Sequence, residues 1–72
     1  MKLSQLRYLI AIWEYGSFSK AAEYLYISQP AISIAIRDLE TEYGVTLLKR
    51  NRGRVEFTSA GKMVVHEART IL

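Results

Sequence analysis

Four cations stand close together in the segment of residues 49–54, called here the basic segment. Its charges are Lys49, Arg50, Arg52 and Arg54, and no acid lies among them. Clustered lysine and arginine pair well with phosphate oxygens, so the segment is typical of a nucleic-acid contact. A simpler explanation is that the basic segment is a β-hairpin whose charges are only solvated by water, but such a hairpin does not need four cations. We therefore expect the basic segment to contact phosphates.

A second set of polar side chains lies where a helix should begin. Pro30 has no amide hydrogen and is tolerated in the first turn of a helix, where Ser28 can cap the free N–H groups. The helix therefore begins near Gln29. Its phase turns the following side chains outward: Pro30, Ser33, Ile34 and Arg37. An outward helix N-terminus of this kind can enter a DNA major groove and contact base edges.

Other chemistry has little support in the residues. His66 is the only histidine, is expected on an exposed helix face, and has no cysteine or second histidine to complete a metal site. The acids near these elements do not pair in a cleft that could support general acid/base catalysis. They are Asp38, Glu40, Glu42 and Glu56. We predict no enzyme activity, no metal and no cofactor.

Two helices are expected before the one that begins near Gln29. The first covers residues 3–15 and ends at Gly16, and its inward stripe is Leu6, Leu9, Ile10 and Trp13. Ser17 can cap the second, whose apolar face is Phe18, Ala21, Ala22 and Leu25. The alanine pair permits the close approach that a helix-turn-helix requires, although alanines are also simply good helix formers.

The third helix carries an apolar stripe and is followed by a hairpin. The stripe is Ile32, Ile36, Leu39 and Tyr43, and Gly44 can end the helix. Residues 45–49 and 54–58 are rich in β-branched and aromatic side chains and are joined through residues 51–53. Val55 and Phe57 should face the core, with Arg52 at the hairpin tip. A helix-turn-helix followed by a basic hairpin is a winged helix, so we predict a mainly α fold with a three-helix core.

A final helix should begin after Thr58 or Ser59 and continue to residue 72. Its stripe is Ala60, Val64, Ala68 and Ile71, widened by Met63 and Leu72. Gly61 in the first turn is unfavourable by about 1 kcal/mol relative to alanine, which suggests a close backbone contact. An apolar stripe that continues to the last residues marks an interaction surface. We predict a homodimer through Val64, Ala68, Ile71 and Leu72, and a division into residues 1–58 for DNA binding and 59–72 for dimerisation.

Length and composition limit the protein to a small class. Its 72 residues allow one domain, and 50% apolar residues favour a packed globule over disorder. The net charge of +3 is weak evidence alone. There is no cysteine and no apolar run long enough to span a membrane, which suits a cytoplasmic protein.

Several spaced motifs together resemble the N-terminal DNA-binding domain of LysR-type bacterial transcriptional regulators. They are LRYL at 6–9, GSFSKAA at 16–22, SQPAIS at 28–33, IRDLE at 36–40, GVTLLKR at 44–50 and TSAG at 58–61. The resemblance covers nearly the whole chain. It implies a winged helix-turn-helix with a long linker helix that pairs two subunits, homo-oligomers of the full-length protein, and imperfect palindromic sites in double-stranded DNA. It also implies a C-terminal part, absent here, that senses a small molecule.

The resemblance assigns roles to individual positions. Gln29, Pro30 and Ser33 match positions that contact bases and phosphates, and Arg52 or Arg54 matches the wing that enters the minor groove. The positions that match backbone contacts are Ser17, Ser19 and Arg50. Ile34 departs from the family, which commonly has a polar or basic side chain there. It can make only apolar contacts, for example with a thymine methyl, unless it packs sideways within the domain.

Two other functions fit some of these residues. A small helical module could bind a protein partner through Tyr8, Tyr24, Tyr26 and the final helix, and a winged helix could bind RNA. A steep dependence of affinity on salt would separate nucleic acid from protein partners. A preference for duplex DNA would exclude RNA.

Overall fold

The computed structural model describes all residues from 1 to 72. Its elements are α1 (Leu3–Tyr15), α2 (Phe18–Leu25), α3 (Gln29–Tyr43), β1 (Leu48–Asn51), β2 (Arg54–Phe57) and α4 (Ser59–Ile71). The predicted mainly α winged helix-turn-helix is confirmed. None of the four helices is long and apolar enough to cross a membrane.

Helix ends form where local sequence signals place them. Gly16 and Gly44 end α1 and α3 in the left-handed conformation, with φ of 72° and 62°. Ser17 Oγ accepts a hydrogen bond from the Lys20 amide at 3.0 Å and caps α2. Ser28 Oγ accepts from the Ala31 amide at 3.1 Å and caps α3. These contacts set the direction of α2 and α3 on either side of a short turn.

The core lies where α1, α2 and α3 meet. Its largest fully buried side chains are Leu9, Ile12, Ile32 and Leu39, and Ala21 and Ala22 bring α2 close to its neighbours. The predicted phase of α1 is partly wrong, because Ile12 is buried while Trp13 is partly exposed and meets Phe57 edge-on at 4.9 Å. Tyr43, expected on the α3 stripe, is also exposed.

The wing is a two-stranded antiparallel hairpin. Leu48 pairs with Phe57 and Asn51 pairs with Arg54, which leaves Arg52 and Gly53 as a two-residue turn. Both turn residues have positive φ, 52° and 78°, as a type I′ turn requires. The first strand therefore begins three residues later than predicted, and Asn51 belongs to the strand. Arg52 is at the tip, as predicted.

The N-terminus of α4 is fastened to the segment before the wing. Thr58 Oγ accepts from the Gly61 amide at 3.0 Å, and the same hydroxyl lies 2.6 Å from the Thr46 carbonyl oxygen. A Cβ on Gly61 would lie 1.9 Å from the Leu47 carbonyl oxygen. The close backbone contact predicted at Gly61 is confirmed.

The buried face of α4 differs from the predicted stripe. Gly61, Val65 and Ala68 face the core, and Ala68 is only 1% exposed. The assignment of Ala68 to a dimer surface is therefore corrected, because its methyl group is covered within its own subunit. Val64 is half-buried and Ile71 is 68% exposed, so these two side chains remain accessible.

Candidate nucleic-acid interface

The connection between α2 and α3 presents the N-terminus of α3 to solvent. Tyr26 ends α2 with a φ of 58°, a left-handed conformation that is uncommon for a tyrosine. The Ile27 amide donates back to the Ala22 carbonyl at 3.1 Å. Ser28 is extended and starts α3 immediately afterwards. This short connection is what allows α3 to project from the surface, and nothing in the sequence marked Tyr26 for positive φ.

The outward face of α3 carries the side chains that the sequence predicted there. Pro30, Ile34 and Arg37 are exposed, and Ser33 is half-buried. Ile34 is 47% exposed, which argues against the alternative that it packs within the domain. The face is therefore mixed, with an apolar side chain between polar and cationic ones.

Arg50 links the wing to both helices of the helix-turn-helix. Its Nη2 donates to Ser33 Oγ at 2.6 Å, and its guanidinium carbon Cζ lies 3.6 Å from the centre of the Phe18 ring. The Gln29 amide oxygen, turned toward the guanidinium, accepts from Nη2 at 2.9 Å and from Nη1 at 3.3 Å. Such a contact combines hydrogen bonds with a cation–π interaction. The sequence suggested a charge at Arg50 but not these partners.

A shallow hollow of about 280 Å³ lies between the N-terminus of α2 and the wing. The predicted site residues that line it are Ser17, Ser19, Gln29, Arg50 and Arg54. A helix N-terminus carries a partial positive charge and free N–H groups, and two arginines add full charges. The hollow can therefore accept an anionic group such as a phosphate.

The basic segment has no acidic partner within the chain. The two ion pairs join the amino terminus to Glu42 at 2.8 Å and Arg69 to Glu14. Lys49 stands opposite Glu56 in the strand register but forms no ion pair with it. Arg52 and Arg54 are exposed at the end of the wing, where they line a second hollow with Asn51 and Glu56. The charges of the basic segment are thus available to an external anion.

The remaining ionisable groups have structural or solvated positions. The Glu40 carboxylate accepts from the Leu47 amide at 2.7 Å and so ties α3 to the start of the wing. His66 is exposed on α4, as predicted, and no cluster of three or more potential metal ligands occurs. Partial desolvation, followed by the charges of Tyr24 and Glu14, raises the pKa of Tyr15 above its ordinary value. The phenol therefore stays neutral near pH 7 and supplies no charge to the interface.

A separate apolar groove of about 360 Å³ runs along α4, away from the basic segment. Its apolar lining includes Leu6, Tyr43, Met63, Val64 and Ile71. Leu72 does not belong to it and instead lines another groove with Ile10 and Leu25. The predicted dimer residues are thus divided between two surfaces: Val64 and Ile71 line the groove along α4, with the buried Ala68 at its floor, and Leu72 lines the other groove.

Known proteins are similar to this chain in sequence and in fold. Residues 3–62 match the family described as bacterial regulatory helix-turn-helix protein, lysR family. The hydrogen peroxide-inducible genes activator of Pectobacterium carotovorum subsp. carotovorum is 46% identical over all 72 residues, which cover 24% of that protein. The chain therefore spans about a quarter of the length of such relatives.

Two solved structures of protein–DNA complexes have closely similar folds. The crystal structure of the CbnR_DBD-DNA complex matches with a TM-score of 0.94 and 41% identity, over 99% of this chain and 82% of that one. The complex of BenM_DBD with catB site 1 DNA also gives a TM-score of 0.94 and 41% identity, over 99% and 79% of the two chains. Each of those two proteins is bound to DNA in its crystal.

Proposed function

Because the chain belongs to the lysR family of bacterial regulatory helix-turn-helix proteins, we propose that it is the unit of a transcription regulator that binds specific sequences of duplex DNA. The observation that supports this proposal is that Arg50 connects the outward face of α3 to the wing. Arg50 contacts Gln29 and Ser33, so the outward face of α3 and the unpaired cations of the wing form one surface. A base-contacting helix and a phosphate-contacting wing are the two parts that sequence-specific binding needs.

Each group at this surface has a chemistry suited to one part of the duplex. Gln29 and Ser33 can form hydrogen bonds with base edges in the major groove, while Pro30 and Ile34 can contact thymine methyl groups. Ser17, Ser19 and the N–H groups that begin α2 and α3 can bind phosphates, with Ser28 fixing the latter helix end. Arg37 and Arg50 add charge at the groove edge. Arg52 and Arg54 extend from the wing toward the minor groove.

The proposal concerns only part of a longer regulator. We assign residues 1–58 to DNA binding and 59–72 to the start of a linker helix. The remaining three quarters of a protein of the relatives' length would hold a domain that responds to a small molecule. Binding and regulation of this kind involve no catalytic residue, metal or cofactor, and they place the protein in the cytoplasm, where bacterial DNA lies.

Dimerisation through α4 is a second part of the proposal. The groove along α4 leaves Met63 and Ile71 exposed, 67% and 68%, beside the half-buried Val64. Pairing two copies at this groove would cover apolar surface and create a two-fold axis, which suits an imperfect palindrome. Leu72 lines a different groove, with Ile10 and Leu25, and is not part of this contact. We propose that the full-length protein forms homo-oligomers through this contact.

Fluorescence anisotropy with labelled duplexes tests the proposal at increasing salt. Each neutralised phosphate contributes about −0.9 to the slope of log affinity against log salt, so affinity should fall steeply. Selection of bound duplexes from a random DNA pool should also enrich one motif, and duplex DNA should be preferred to RNA. A flat salt response, or a selected pool without any common motif, would remove the proposal.

A further inference from the structure

We propose that Arg50 sets the base preference of Gln29 by holding its amide in one orientation. This inference rests on the proposed function and adds a positioning residue to it. Arg50 on the wing and Gln29 on α3 lie far apart in sequence, but the Gln29 side-chain amide lies within hydrogen-bonding distance of the Arg50 guanidinium.

The orientation of the amide follows from the chemistry of its partner. A guanidinium has five N–H donors and no acceptor, so the amide atom that faces it must be oxygen. Nη2 and Nη1 lie 2.9 Å and 3.3 Å from that oxygen. The guanidinium is itself held by Ser33 Oγ at 2.6 Å and by the ring of Phe18, which is buried in the core. Because Phe18 belongs to the core, the guanidinium is held in place and orders the Gln29 side chain before DNA binds. We call the contact of Arg50 with Gln29, Ser33 and Phe18 the clamp.

A Gln29 side chain that is hydrogen-bonded to Arg50 can offer fewer groups to a base than a glutamine without a partner. Free glutamine contacts adenine with two bonds, in which its oxygen accepts from N6 and its nitrogen donates to N7. Here Arg50 occupies both lone pairs of the oxygen, and only the NH₂ group remains for a base. Donors alone favour guanine, whose O6 and N7 are both acceptors, over adenine, which presents a single acceptor beside the N6 donor. Gln29 should therefore prefer guanine to adenine for as long as Arg50 holds it.

The clamp leaves Arg50 able to contact phosphate as well. Its bonds to Gln29 and Ser33 use the two N–H groups of Nη2 and one of Nη1. The Nε–H and the second N–H of Nη1 remain for an anion in the adjoining hollow. Arg50 can thus bridge a phosphate to the amide of Gln29, which connects backbone contact with base preference.

The test compares Arg50→Lys with Arg54→Lys in the 72-residue protein, which folds around its own core. Both changes keep the charge, but only Arg50 contacts Gln29. Selection from a random duplex pool should show that Arg50→Lys raises the preference for adenine over guanine at one position by about 5-fold or more. Arg54→Lys should leave that position unchanged, and so should Arg50→Lys in a Gln29→Ala background. The salt slope of Arg50→Lys should stay equal to that of the parent.

Nuclear magnetic resonance gives a second result without DNA. The Gln29 side-chain NH₂ signals should move in Arg50→Lys and stay in place in Arg54→Lys. The proposal is overturned if Arg50→Lys has the base profile of the parent, if its effect persists without Gln29, or if the two variants move the NH₂ signals equally. If the parent protein fails to bind duplex DNA while its Gln29 NH₂ signals respond as expected, the proposed function is refuted. The contact between Arg50 and Gln29 would then still stand.

Discussion

At the scale of single residues, Ile34 is an exposed apolar side chain among polar ones on the outward face of α3. Its side chain is 47% exposed and is therefore accessible for a groove contact. An isoleucine can contact a thymine methyl but donates no hydrogen bond, so it contributes little discrimination among the other bases. Sequence preference should therefore depend more on Gln29 and Ser33.

We expect Ile34→Arg to strengthen binding to all duplex sequences, because it adds a cation where a phosphate or guanine edge can be reached. The salt slope, measured by anisotropy, should steepen by about 0.9 for one further phosphate contact. Ile34→Gln, which is neutral, is the matched control and should keep the parent slope. Loss of helical circular dichroism in both variants would show instead that Ile34 stabilises the core.

Arg50 also connects the residues proposed to contact bases with those proposed to contact the DNA backbone. From the sequence, base contact and backbone contact could be assigned to different residues. The bond between Arg50 and Gln29 makes the two roles interdependent, so alanine at Arg50 should alter specificity as well as affinity.

At the scale of elements, the contact between α4 and residue 47 decides how the linker helix leaves the domain. Thr58 caps α4 and its amide donates to the Leu47 carbonyl at 3.0 Å. Gly61 then passes that carbonyl with no room for a side chain. On the other side, Glu40 binds the Leu47 amide, so one residue connects α3 to α4.

We predict that Gly61→Ala destabilises the domain, although alanine is the better helix former by about 1 kcal/mol. The added Cβ would meet the Leu47 carbonyl oxygen at 1.9 Å, and that atom is backbone that cannot rotate away. Overpacking of this kind costs about 1–3 kcal/mol. Thermal unfolding should show a Tm lowered by about 4 °C or more, since about 1 kcal/mol corresponds to about 4–8 °C in a domain of this size.

The matched control for this change is Lys62→Ala, at the next position of α4, where the side chain is exposed. Its Tm should stay close to that of the parent. A Gly61→Ala protein as stable as the parent would mean that α4 can shift along the domain without cost.

At the scale of the whole molecule, the basic surface and the apolar groove belong to different faces. The first is formed by α2, α3 and the wing, and the second by α1, α3 and α4. Separate faces let one subunit bind DNA and a second subunit at once. That arrangement is what a palindromic site requires.

We expect a monomer–dimer equilibrium that depends on Met63 and Ile71. Replacing both with glutamate should abolish dimers by placing like charges at the apolar groove, while the core stays folded because both side chains are exposed. Sedimentation equilibrium measures the effect, and His66→Glu, on the same helix but outside the groove lining, is the control. A parent that remains monomeric at millimolar concentration would contradict the dimer proposal.

Sequence alone determined the features that depend on neighbouring residues. Gly16, Ser17, Ser28 and Gly44 start or end helices where predicted, because a cap needs only the backbone of the adjacent turn. The hairpin tip at Arg52 was found for the same reason, although the strand began later than predicted. The order of helices and wing followed from these signals.

Tertiary structure decided the features that depend on how helices rotate and approach. It buried Val65 and Ile12, which were outside the predicted stripes, and left the predicted stripe residues Ile71 and Trp13 exposed, because the neighbours of each helix select which of its adjacent apolar positions face inward. It also brought Arg50 onto Phe18, Gln29 and Ser33, a set that spans three elements. Spacing along the chain cannot predict such contacts, since they arise only when the wing packs against the helix-turn-helix.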